Sequence, residues 1–276
     1  MRGTAWRWAV AIVIAAAAGV WQERSGPTYP VRGAVSLGGS RVPLALERSH
    51  ETGGGQPVSV AAPDPAIAGE VAFRRFPTGE PFQIVTLHRE GDRLTAVLPA
   101  QPAAGKLEYQ VRLTRGGENV VFPSRPAITR FKGEVPVGVL LPHVLAMFVG
   151  LVFAARAALE GLRRDGNAGP HVWAALGFFV VGGFGLGPFV QHYAFGEWWA
   201  GVPHGWDLTD NKTLLLVLAW LAAAWACRGG RRPRAAVVAA ALVTLAVFAI
   251  PHSAWGSQLD WSKVAPPATT SSSSRR

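Results

Sequence analysis

Five apolar runs, most of them flanked by arginine, limit what this chain can fold into more than any other feature. They cover roughly residues 8–20, 136–155, 172–190, 213–226 and 235–250. A helix needs about 20 apolar residues to cross a bilayer core. The first run is short by that measure, and so is the fourth unless Asp210 and Lys212 sit at the interface. Only 16% of the residues are charged, whereas soluble domains carry about 25%.

The net charge of +10 would point to nucleic acid if it were spread over one surface. Instead much of the arginine excess flanks the apolar runs: Arg2 and Arg7, then Arg163 and Arg164, then Arg228, Arg231, Arg232 and Arg234. That is the positive-inside pattern of membrane proteins, and no nucleic-acid partner is expected. The first run is either a signal peptide with Ala16-Ala17-Ala18 as its cleavage region or an uncleaved anchor framed by Trp6, Trp8 and Trp21. Either way its N-terminus lies inside and the following segment is exported. The second run then crosses back, so the Arg163–Arg164 loop is inside. The loop over 191–212 is outside, the Arg228–Arg234 loop is inside, and the tail after Pro251 is outside. Every basic loop falls on one face.

Residues 27–134 have a different texture. Short apolar stretches such as Val42-Pro-Leu-Ala-Leu, Phe82-Gln-Ile-Val-Thr-Leu and Leu107-Glu-Tyr-Gln-Val-Arg-Leu alternate with Gly- and Pro-bearing turns. About seven short strands at this spacing predict an antiparallel sandwich of immunoglobulin-like or fibronectin-III-like architecture. The single Cys227 excludes a disulfide framework, a CxxC site and covalent c-type haem. The expected fold is therefore a membrane α-helical bundle of four spans plus an N-terminal signal or anchor segment, with an inserted all-β immunoglobulin-like sandwich. The boundaries are 1–26 for the signal or anchor, 27–134 for the exported sandwich, 135–262 for the transmembrane domain and 263–276 for a disordered tail.

The outer loop, from Pro188 to Thr213, and the stretch after Pro251 hold an unusual density of His, Asp and Trp. His192 caps the third run, His204 lies in the loop, and His252 caps the fifth run. His143 stands about six residues into the second run, about 9 Å below its start. Polar side chains inside a span normally face the bundle and act there. Met147 follows His143 by four residues and so shares its helical face. Imidazole and thioether together suit copper or haem iron. Asp207 and Asp210 could support such a site, although Asp210 or Thr209 could instead cap the fourth helix. No GxSxG or other nucleophile motif is present, so a hydrolase is not expected.

The loop GPFVQHYAFGEWWAGVPHGWDLTDNKT and the tail IPHSAWGSQLDW resemble a group of bacterial multi-pass membrane proteins with a YAFGxWW…DLTDNKT loop and an IPHS…GSxLD tail. The resemblance covers residues 136–262 and implies membrane residence; it carries no activity and no functional residues.

The expected function is a bacterial inner-membrane protein with a His-rich outer-face site for Cu, Fe or b-type haem, working in redox or metal handling. The cofactor-binding candidates are His143, Met147, His192, His204 and His252. The metal candidates are His143, His204, His252, Asp207 and Asp210. Two alternatives stay open. One is a non-catalytic assembly or accessory protein whose sandwich docks an exported partner. The other is a proton- or quinone-linked membrane subunit. The lipid bilayer is the one partner that all three share.

Overall fold

Each of the five apolar runs is helical. The computed structural model of the chain describes residues 2–251, 259 and 261. The first helix, α1 (Arg2–Ser25), is 24 residues long. It outruns its apolar core at both ends, and at the distal end Ser25 Oγ donates to Trp21 O at 2.5 Å. α2 (Val137–Gly161) carries Pro142 near its start. One continuous rod follows: α3 (Gly169–Phe179), a π-helical stretch (Val180–Leu186) and α4 (Gly187–Phe195). α5 (Leu208–Ala226) and α6 (Arg234–Ala249) complete the helical part. Among the described residues three helices are long and apolar enough to cross a membrane: Thr4–Ser25, Val137–Gly161 and Gly169–Phe195. α6 is apolar but shorter, and α5 carries Asp210, Asn211 and Lys212 in its first turns.

Side-chain ties fix the direction of each helix. Glu160, at the end of α2, receives Arg7 from the start of α1 at 2.5 Å, Arg156 at 2.6 Å and Arg163 at 3.0 Å. Arg234, at the start of α6, donates to the last carbonyls of α2, Gly161 O at 2.9 Å and Leu162 O at 2.8 Å. At the other end Trp21 of α1 donates to Ala249 O of α6 at 2.9 Å. Trp8 near the start of α1 meets His171 at the start of α3 edge-on, and Lys212 at the start of α5 donates to Ile250 O just past α6, so α1, the α3–α4 rod and α6 run one way and α2 and α5 the other. Apart from Arg24, the arginines of the helical part gather at one end, and the β-domain sits at the other. Between the ends the helices approach closely where side chains are small. A Cβ added to Gly183 would lie 2.6 Å from Thr213 Cγ2, and one on Gly150 would lie 2.7 Å from Phe179. Trp220 is fully buried at the centre and donates to Thr244 Oγ1 at 2.8 Å.

The β-domain has ten strands, where the sequence pattern predicts about seven. They are β1 (Val31–Leu37), β2 (Ser40–Leu46), β3 (Ser49–Glu51), β4 (Gln56–Ala61), β5 (Ala68–Arg75), β6 (Gln83–Thr86), β7 (His88–Glu90), β8 (Arg93–Leu98), β9 (Lys106–Arg115) and β10 (Glu118–Lys132). The strands form a five-stranded sheet in the order β3-β10-β9-β5-β6, a three-stranded sheet β4-β8-β7 and the hairpin β1-β2. One apolar cluster joins all three sheets. The β1–β2 and β9–β10 turns are each Gly-Gly pairs at positive φ (56° and 77°, then 55° and 89°). That is the backbone a two-residue hairpin requires. The pairing is antiparallel except for β3, which lies parallel to β10. Glu108 breaks the in–out alternation of β9, and its burial is matched by Arg74 at 2.5 Å.

Lys106 and Arg130 face each other directly across β9 and β10, and like charges in that position repel. Burial and the Arg130 charge push the Lys106 ammonium down to about 8 from its ordinary 10.5. Between those values the unfolded chain holds more protons than the folded one. Stability is therefore expected to rise as pH climbs from about 8 to about 10.5. Thermal midpoints of the wild type and Lys106→Gln across this window check it. The rise should shrink in the variant, and equal slopes would overturn the assignment.

Candidate functional site

The site lies where the helices meet the β-domain. Gly133, just past β10, donates its amide to Ala194 O of α4 at 2.8 Å. The Arg130 guanidinium lies 5.5 Å from the centre of the Phe195 ring. Trp261 reaches back to the β-domain, donating to Phe76 O at 3.0 Å with Arg75 over its ring at 5.0 Å.

Beneath this junction is a cavity of about 120 Å³ walled by His143, Met147, Gln191, Asp207, Asp210 and Thr213 together with small residues of the α3–α4 rod. The rod is π-helical here. Pro188 lacks the donor that would continue regular α-helical bonding, and the Gly187 amide bonds back to Gly182 O instead. Single π-turns inside α-helices are rare and frequent at functional sites. The same Gly182 carbonyl meets His143 Nδ1 at 2.9 Å. A carbonyl only accepts, so Nδ1 carries the proton and Nε2 is left with its lone pair. Nε2 has no hydrogen-bond partner among the described residues. Gln191 is 8% exposed, and its Nε2 also has no partner. The cavity thus presents one lone pair, one orphaned amide and two buried carboxylates.

The outer-loop acids have structural duties as well. Asp207, not Asp210 or Thr209, caps α5: its Oδ1 accepts from Thr209 N at 2.8 Å and from Asp210 N at 3.2 Å. Asp210 Oδ2 accepts from Ala200 N at 2.6 Å, and Asn211 Oδ1 accepts from Val202 N at 2.8 Å. Both hold the 200–202 turn down onto α5. Lys212 is 5% exposed and donates to Ile250 O at 2.7 Å, closing the end of α6.

The four described histidine and methionine candidates do not converge. His143 and Met147 share the cavity with Asp207 and Asp210. His192 does not line it and stacks flat on Trp198, with ring centroids 4.1 Å apart. His204 is exposed in a turn whose amide bonds to Gly201 O. His252 lies outside the described residues. Among the described residues no group of three or more His, Cys, Asp and Glu side chains is placed to hold a metal ion. Gln191, Thr213 and the Gly182 carbonyl were not foreseen from sequence, although four glycines followed by Pro188 is a signal of irregular helix. No protein-family model matches the chain, and no curated protein matches it in sequence.

Proposed function

We propose that this is a multi-pass protein of a bacterial inner membrane that holds one transition-metal ion at its outer face, for redox or metal handling. The chain starts inside, and its immunoglobulin-like β-domain and C-terminal tail lie outside. In this reading α1 is a retained anchor, and α5 and α6 are spans alongside α2 and the α3–α4 rod. Apart from Arg24, the arginines of the helices and their connecting loops lie at one end, which agrees with that orientation. Exposed tryptophans at both ends agree with headgroup belts: Trp6, Trp173 and Trp225 at the arginine end, and Trp21, Trp198 and Trp206 at the other.

The observation that carries the functional reading is the His143 Nδ1 to Gly182 O contact. Metal-binding histidines usually donate their second ring nitrogen to a carbonyl or carboxylate, which orients the ligating lone pair. Here that lone pair belongs to a largely apolar cavity that also holds a thioether and two carboxylates. At about 120 Å³ the cavity is smaller than the roughly 300–1,000 Å³ that organic ligands occupy. That favours an ion over b-type haem or a quinone. Protein purified in detergent is expected to carry about one equivalent of metal by elemental analysis, lost in His143→Ala. Wild-type protein that carries none, even after incubation with copper, iron and zinc salts, would sink the proposal.

A second reading, an accessory protein that presents its sandwich to an exported partner, is favoured by the mounting of that domain. The outer polar side chains are largely engaged in fixing loops and helix ends, as a rigid support requires. A metal-free preparation that cross-links through the β-domain to one exported protein would favour this reading, and cross-links confined to the helices would count against it.

A further inference from the structure

We propose that the ion is Cu(I), held by His143 Nε2 and Met147 Sδ beside the π-helical turn; this rests on the reading of the cavity as a cation site. The two side chains stand four residues apart on one face of α2, where helical neighbours meet, and both wall the same cavity. Gly182 of the rod packs closely on the thioether: a Cβ there would sit 3.1 Å from Met147 Sδ, whereas one on Gly187 would make only ordinary contact with His143 Cε1 at 3.9 Å. Any larger residue at Gly182 would press on the sulfur.

The donor set selects the metal. Thioether and imidazole are soft to borderline ligands that favour Cu(I), whereas hard divalent ions want several oxygens. The oxygens nearby are already committed, Asp207 to the α5 amides and Asp210 to Ala200 N. Two neutral ligands suit a low-coordinate monovalent ion. Charge enters the cost of burial as its square, so a monovalent ion is also far cheaper to bury here than a divalent one. The carboxylates of Asp207, whose charge Arg130 and Lys212 also share, and of Asp210 then help to offset the single positive charge without binding it. Gln191, with its unpartnered and nine-tenths buried Nε2, has a donor left to hold a water beside the ion.

The test is an anaerobic titration of the full-length protein in detergent with Cu(I) against bicinchoninate, with Zn(II) titrated in parallel. The wild type is expected to withdraw one equivalent of Cu(I) from the coloured complex. Met147→Leu, which conserves volume and hence the fold, is expected to weaken binding at least tenfold, and His143→Ala to abolish it. X-ray absorption of the copper-loaded protein should report one sulfur and one nitrogen neighbour. Binding of Zn(II) without Cu(I) would overturn the metal assignment and leave the cation site standing. Binding of neither would overturn both. Undiminished Cu(I) binding in Met147→Leu would overturn the ligand assignment, and that variant decides the matter if His143→Ala does not fold.

Discussion

Glu160→Ala is expected to destabilise the helical bundle by about 3–5 kcal/mol, the usual cost of removing one partner from a buried ion pair. One carboxylate serves Arg7, Arg156 and Arg163. Arg7 and Arg156 are 9% and 2% exposed, so without Glu160 two guanidinium groups face each other in a poorly solvated place. The cheapest relief is for the start of α1, which carries Arg7, to swing away from α2. That would also expose the faces of Ala11 and Ala15, now 0% and 4% exposed. The unfolding midpoint in detergent should fall, and cross-links between α1 and α2 should be lost. Replacing the whole group, with Arg7→Met, Arg156→Met and Glu160→Leu together, removes the charges and should recover most of the loss. A Glu160→Ala midpoint indistinguishable from wild type would overturn the argument. The same packing bears on processing. Cleavage near Ala16–Ala18 would discard the ion pair and both buried alanines, so the intact mass of the mature protein is expected to include α1.

The helices were legible in the sequence because long apolar runs bounded by Arg, Gly and Pro leave the backbone few other ways to satisfy its hydrogen bonds. Their ends were less legible. The residues from Trp21 to Ser25 look like an exit from a membrane, yet local hydrogen bonding carries α1 through them. In the β-domain the strands with strong alternation were visible and β1, β3 and β7 were not. β3 is three residues long and exists through its parallel pairing with the distant β10, information that no local pattern holds. β1 contains Gly33, which reads as a turn. It is glycine because a Cβ there would lie 2.5 Å from the Phe122 ring.

The candidate site was legible as a layer and not as a constellation. Helix direction and arginine bias predicted that His143, His204, Asp207 and Asp210 lie towards one end, and the helix directions agree. Which of them share a cavity depends on side-chain direction. Asp207 and Asp210 are three residues apart on one helical turn, yet one holds its own helix start and the other reaches back to Ala200. His204 lies at the tip of the turn that Asp210 and Asn211 pin, so it is held away from the cavity wall. The π-turn that supplies the Gly182 carbonyl to His143 has no reliable sequence signature beyond its glycines and Pro188.

The β-domain and the site are expected to be separable, and Tyr109→Ala is the sharpest way to ask. Tyr109 is fully buried in β9, at the centre of the cluster that joins the three sheets. Its hydroxyl donates to Glu47 O at 2.6 Å and accepts from Gln56 Nε2 at 3.2 Å, and Gln56 Oε1 in turn accepts from Thr129 at 2.6 Å. Gln56 and Thr129 are 1% and 0% exposed, so this is a satisfied polar chain running through the core from β10 by way of β4 to β9. Deleting the ring removes a large apolar body and leaves a cavity, at about 3–5 kcal/mol for aromatic truncations of this kind. Tyr109→Phe should cost only about 0.5–1.5 kcal/mol, because Gln56 Nε2 still reaches Glu47 O at 3.1 Å. Circular dichroism should record an early loss of β signal in Tyr109→Ala while the helical signal persists. Under the proposed metal reading, metal content should be unchanged, since no strand residue walls the His143 cavity. If Tyr109→Ala also strips the metal, the β-domain does not merely sit on the site: its fold holds α4, through Gly133 and Arg130, in the position that closes the cavity.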